Sequence, residues 1–132
     1  MVHQIKDKMI PGIYHLIIHL PREEIIEIGK LGRFQFKSGY YVYTGSAMRG
    51  LESRIARHKR KQKRLHWHID YLLAYGQIID VITHPTTERL ECYFNEQIMS
   101  IPEAQIPARG FGSSDCKCLT HLIFFEKKPE IT

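Results

Sequence analysis

The chain has 132 residues, 43% of them hydrophobic and 25% charged, and a formal net charge of +5. That balance fits one folded domain with its own core and excludes wholesale disorder, and no apolar run approaches the roughly 18 to 20 residues a bilayer span needs. The N-terminus MVHQIKDKMIPG has no signal-type apolar stretch, and 3 cysteines are too few and too odd for a disulfide framework, so a soluble cytoplasmic protein is expected.

GIYHLIIHL, from Gly12 to Leu20, lies between Pro11 and Pro21. It is short, β-branched and apolar on both faces, which predicts a buried strand. The next stretch, EEIIEIGKLGRFQFKSGYYVYTG, holds further short strands punctuated by Gly29, Gly32 and Gly39. A hairpin joining residues 34–37 to 40–44 is the natural pairing. Residues 46–63 then read as a helix. Leu51 and Ile55 mark its buried stripe, with Arg54, Arg57, His58 and Lys61 on a neighbouring face. A second helix, LHWHIDYLLAYG, is predicted to stop at Gly76, and QIIDVITHP forms a strand stopped by Pro85. Residues 86–100 predict a third helix, capped by Thr86 or Thr87, with Leu90, Phe94 and Ile98 along one stripe. A Pro/Gly-rich loop over 101–114 leads to a last strand in CLTHLIFFEKK. The fold class is α+β: a single domain over 1–132, with a small, mainly antiparallel sheet flanked by helices.

The positive charge is concentrated. Arg49, Arg54, Arg57, Lys59, Arg60, Lys61, Lys63 and Arg64 stand against Glu52 alone, a segment net of +7, while the rest of the chain has 11 cations and 13 acids. One basic element on an otherwise slightly acidic protein is the footprint of a polyanion site.

Three pieces carry chemistry. Gly12-Ile13-Tyr14 lies in the first strand, Tyr43-Thr44-Gly45 ends a later one, and GSAMRGLESRIARH places Arg54 nine residues beyond Gly45 with His58 one helical turn further. This ordered set resembles the GIY-YIG nuclease superfamily, and the sequence as a whole, including GFGSSDCKCLTHL, resembles that superfamily's DUF123 branch from about Gly12 to Phe125. The two tripeptides lie further apart than is usual in the superfamily, and Thr44 stands where isoleucine is usual. The resemblance implies a GIY-YIG-like fold and phosphodiester hydrolysis with one divalent ion, Mg²⁺ or Mn²⁺. It implies Glu91 as the metal carboxylate, with Glu88 as the alternative one turn earlier, and a role for Tyr14 in taking a proton from water. Tyr43 would orient water or phosphate.

Elementary chemistry agrees with these assignments. Arg54 offers a planar, permanently charged fork suited to phosphate. Tyr14 has an unperturbed pKa of about 10, high for a base at neutral pH, whereas His58 titrates near neutrality. Both remain candidates for the base. The other cations, Arg49, Arg57, Lys59, Arg60, Lys61, Lys63 and Arg64, would hold the nucleic-acid backbone without reading its sequence.

Two further clusters are candidates for the cleft wall: His66, His68 and Asp70, and the segment with Ser114 and Asp115. On a helix His66 and Asp70 share a face and His68 does not, so a metal site there is poor geometry. Hydrogen bonding by His66 and Asp70 to fix helix packing is the alternative. Cys116, Cys118 and His121, even with Cys92, lack the C-x₂₋₄-C spacing of structural zinc sites, and zinc is not expected. The function expected is a metal-dependent endonuclease acting on nucleic acid, DNA before RNA, on structured or repair-related substrates. The alternatives are a non-catalytic nucleic-acid-binding module and an adaptor for a repair-protein partner.

Overall fold

A computed structural model describes residues 9–113 and 117–131 of the chain. The described residues form six strands, β1 (Gly12–Leu20), β2 (Glu24–Ile28), β3 (Gly32–Phe36), β4 (Gly39–Ala47), β5 (Gln77–Pro85) and β6 (Leu122–Phe125), and three helices, α1 (Leu51–Lys59), α2 (His68–Leu73) and α3 (Glu91–Met99). The α+β class is as expected. The main sheet has the order β5-β1-β4-β6 and is antiparallel throughout. β2 and β3 form a separate two-stranded sheet.

β1 is central and covered on both sides, which explains why it is apolar on both faces. Its even-numbered residues Tyr14, Leu16, Ile18 and Leu20 pack with Tyr41, Tyr43, Leu51, Ile69 and Leu72, so that face carries α1 and α2, and the β2–β3 hairpin adds Ile26, Ile28 and Phe36 to the same cluster. Ile17 on the other face joins Val42, Ile123 and Ile98 beneath α3. The sheet is therefore the middle of three layers. On the α3 side, Thr44 keeps its added hydroxyl out of apolar surroundings through a 2.8 Å hydrogen bond between Oγ1 and His15 Nδ1.

Several expectations about local structure are corrected. The hairpin is β2–β3, closed at Gly29–Leu31 with the Leu31 N–H on the Ile28 carbonyl, and β4 pairs instead with β1 and β6. Residues 40–44 are almost entirely buried, and only a central position covers them on both faces. The helix predicted over 46–63 is shorter at both ends. β4 continues to Ala47, and α1 runs from Leu51 to Lys59 before the backbone turns extended at Arg60. Beyond that point Lys63 Nζ donates to the His58 carbonyl at 2.5 Å, so a side chain closes the helix end. α2 starts only at His68, because Asp70 accepts the backbone N–H groups of His66 and Trp67 at 2.8 and 2.9 Å. It ends with the Gly76 N–H on the Leu72 carbonyl, near the expected stop. α3 starts at Glu91 without a side-chain cap; Thr86 instead accepts the Glu88 N–H in the preceding turn. The last strand is only Leu122–Phe125.

Candidate active site

The antiparallel register places Tyr14 opposite Gly45 and Leu16 opposite Tyr43. Side chains alternate across a strand, so Tyr14 and Tyr43 share a face as diagonal neighbours, with ring centroids 6.2 Å apart. Gly45 makes room for them. A Cβ there would stand 2.5 Å from Tyr14 Oη and 3.0 Å from the Tyr43 ring, so any larger residue drives the phenol from its place.

From α1, His58 reaches the same phenol, with Nε2 2.7 Å from Tyr14 Oη. His58 is 2% exposed, and its Nδ1 meets no hydrogen-bond partner among the described residues. A hydrogen on Nδ1 would be a buried donor without an acceptor, so we place it on Nε2, donated to Tyr14 Oη. Burial pushes the imidazole down to about 4, which keeps it neutral at pH 7. Burial also pushes the Tyr14 phenol up to about 12, with the adjacent Arg54 pulling the other way through its charge and a hydrogen bond. The Tyr43 phenol is raised well above its usual value, again by burial.

The two tyrosines open on a cavity of about 330 Å³. Tyr14, Tyr43, Gly45 and Ser46 form its sheet wall, and Arg54 enters from α1, with Nη1 donating to the Ser46 carbonyl at 2.9 Å. Trp67 lines it too, and carries the Arg54 guanidinium 4.5 Å from its ring centroid. Glu91, the first residue of α3, reaches the same cavity from the opposite layer. Among the described residues it is the one carboxylate in the lining, whereas Glu88 is exposed and outside it. His66 and His68 also line the cavity, and His68 Nδ1 accepts the Gly112 N–H at 2.8 Å.

The four residues assigned to chemistry thus fall into two groups. Tyr14, Tyr43 and Arg54 face the cavity, and His58 stands behind Tyr14 without lining it. His58 thus meets Tyr14 and not the cavity itself, a correction to its reading as a candidate base at the reacting water.

Two more readings change. Arg57, grouped with the backbone-binding cations, makes a bidentate pair with the fully buried Asp70 carboxylate, 2.9 and 3.0 Å, and donates to the Arg64 carbonyl. Asp70 is thereby taken out of the cleft. Its carboxyl is held below the usual range despite burial, by hydrogen bonds from Arg57 and from the two backbone N–H groups. Of the eight cations between Arg49 and Arg64, Arg54 alone lines the cavity among the described residues. Lys59, Arg60 and Lys61 border a different hollow with Leu73 and Ile78, while Arg49 and Arg64 are exposed. Ser114, Asp115 and Cys116 lie outside the described residues.

Sequence reasoning missed Arg89 and His121, which line the cavity together with Gly112. Arg89 had a signal, since it stands two residues before Glu91 in the same segment. The sequence offers His121 only within a possible zinc set, and that set is not expected from its spacing. Its N–H donates to the Phe111 carbonyl and its own carbonyl accepts the Thr44 N–H, which hangs this loop on β4 beside Tyr43.

A family model described as "Domain of unknown function DUF123" matches residues 13–132. The chain belongs to the DUF123 family. The match runs through β1, β4, α1 and α3, so every element that delivers a side chain to the cavity is part of the family's own domain. No curated protein matches the chain, and no solved structure does. No described helix is long and apolar enough to cross a membrane.

Proposed function

We propose that this DUF123 chain is a metal-dependent endonuclease that hydrolyses a phosphodiester of nucleic acid, with DNA as the preferred polymer. The observation that carries the reading is the convergence of Tyr14, Arg54 and Glu91, from three different elements, on one cavity. Arg54 and Arg89 bring two guanidinium groups to a space large enough for a phosphate group. Glu91 is the residue that would hold a divalent ion. One carboxylate, completed by phosphate oxygens and water, suits Mg²⁺ or Mn²⁺. Such an ion supplies charge neutralisation at the phosphoryl oxygens and a more acidic water.

The chain's own residues supply the rest. Tyr14 Oη accepts a hydrogen bond from the attacking water and directs it at phosphorus. The His58 Nε2–H and the Arg54 charge both favour negative charge on that oxygen, which offsets part of the burial penalty on its phenolate. Arg54 then meets the charge that develops on the phosphoryl oxygens. Trp67 and the Ser46 carbonyl hold the guanidinium in place, so little reorganisation is needed as that charge appears. Exposed cations outside the cavity hold the polymer backbone, and affinity should fall steeply with salt.

A second reading is a nucleic-acid-binding module without turnover. Burial raises the pKa of both cavity tyrosines, and a phenol that stays protonated favours binding over proton transfer. One experiment separates the two. Wild type, Arg54→Ala and Glu91→Ala are incubated with single-stranded, duplex, flap and branched DNA and with RNA, in Mg²⁺ or Mn²⁺. Metal-dependent cleavage by wild type that both variants lose supports the nuclease. Tight, salt-sensitive binding with no cleavage of any substrate supports the module. Cleavage that survives in both variants rejects this cavity as the active site.

A further inference from the structure

We propose that Cys92, Cys118 and His121 form a binding site for one thiophilic divalent cation, with zinc as the ion their donors fit best. Cys92 is the second residue of α3, and the other two lie in the segment that leads into β6. They meet although 26 residues separate the two cysteines. Cys92 Sγ is 3.6 Å from His121 Nε2, and one donor atom from each of the three residues lies within 4.8 Å of the others. Zinc bonds of about 2.3 Å to sulfur and about 2.0 Å to imidazole place tetrahedral donors roughly 3.3 to 3.8 Å apart, so one ion can bond all three once the Cys92 and Cys118 sulfurs, which are in direct contact here, rotate apart. Two thiolates and an imidazole select zinc over Mg²⁺ or Mn²⁺, which prefer oxygen. The site is therefore chemically distinct from Glu91, although Glu91 and Cys92 are adjacent in the chain. Binding releases the thiol protons to solvent.

The spacing that argued against zinc weighed Cys92 with Cys116, Cys118 and His121 and found no structural-site pattern. The structure brings Cys92 from a helix onto Cys118 and His121, a layout that spacing along the chain does not reveal. The structure pairs the Cys92 and Cys118 sulfurs directly, and a disulfide there needs no imidazole; the convergence of His121 on that pair is what favours an ion in the reduced protein. The backbone at His121 is already fixed to β4 through Thr44, and Cys92 moves with α3. An ion shared by the two would lock the start of α3 against the cavity's loop wall, and with it Glu91 against Tyr43.

The test uses the full chain, purified under reducing conditions, equilibrated with zinc against a weak competing chelator and measured by elemental analysis. We expect about one zinc per chain, released when a mercurial blocks the thiols. Cobalt loading should give the intense thiolate-to-cobalt absorption, and Cys92→Ser and His121→Asn should each weaken zinc affinity about tenfold or more while Glu91→Gln leaves it unchanged. Reduced wild type that takes up no zinc overturns the proposal. So does zinc retained in both Cys92→Ser and Cys118→Ser. A Cys92–Cys118 disulfide found in protein alkylated at the moment of lysis overturns it as well, because those sulfurs are then not ligands. The wild-type stoichiometry decides the matter even if a variant fails to fold.

Discussion

Arg54 and Arg57 lie one helical turn apart on α1, and both rest on the same indole, with guanidinium carbons 4.5 and 4.3 Å from the Trp67 ring centroid. From the sequence they are two members of one basic run. In the structure Arg57 gives its fork to Asp70 and a further N–H to the Arg64 carbonyl, whereas Arg54 gives Nη1 to the Ser46 carbonyl and lines the cavity. The difference lies in what each fork meets. A guanidinium paired bidentately to a buried carboxylate is part of the scaffold, and one braced at the edge of a cavity is ready for an anion. Charge density along a chain does not distinguish the two.

The comparison breaks most sharply at Asp70. Asp70→Ala leaves Arg57, a partly buried side chain, without its partner and removes two backbone caps from the start of α2. A loss of about 3 to 5 kcal/mol in unfolding free energy is expected from urea titration. A loss under about 1 kcal/mol would mean that Arg57 is not structural.

Acid should act on the scaffold next. His15 and His58 are both buried and both pushed down to about 4 from 6.5. The folded state keeps them neutral while the unfolded chain protonates them below pH 6.5. Stability is thus full above that value and falls as pH drops toward 4, by on the order of 3 kcal/mol for each residue. His68, His84 and His121 are lowered too and act in the same direction. Unfolding midpoints measured from pH 7 to pH 4 check the slope, and His58→Gln should make it shallower.

A smaller change sharpens the cavity side. In Gly45→Ala the new Cβ would stand 2.5 Å from Tyr14 Oη, so the phenol must move. Stability should fall by roughly 1 to 3 kcal/mol, and cleavage should fall by more than stability explains. Circular dichroism beside a nuclease assay separates the two effects.

Much of this site was legible through the family resemblance. Tyr14, Tyr43, Arg54 and Glu91 were placed in one site because their order along the chain matches that resemblance, and all four line the cavity. What escaped was set by tertiary pairing. The hairpin rule joins neighbours in sequence, but β4 buries nearly every residue between β1 and β6, a demand that no local turn signal expresses. The long predicted helix failed because the β4 ladder continues through Ala47 and the Lys63 side chain closes the far end of α1. Arg57 was misread because its partner Asp70 lies 13 residues away on another helix. His58 was found, but its burial behind Tyr14 was not, since nothing in a helical wheel says how deeply one face sinks.

The most direct measurement compares Arg54→Lys with Lys61→Ala on one labelled DNA substrate, by single-turnover cleavage and by binding across a salt series. Lysine keeps the charge at 54 and loses the planar fork, so cleavage should drop about 100-fold with little change in binding. Lys61 is exposed and away from the cavity, so its loss should leave the cleavage rate intact and reduce the salt slope by about one. Wild-type cleavage by Arg54→Lys, or an equal loss of cleavage in Lys61→Ala, would contradict the assignment of the phosphate site to Arg54.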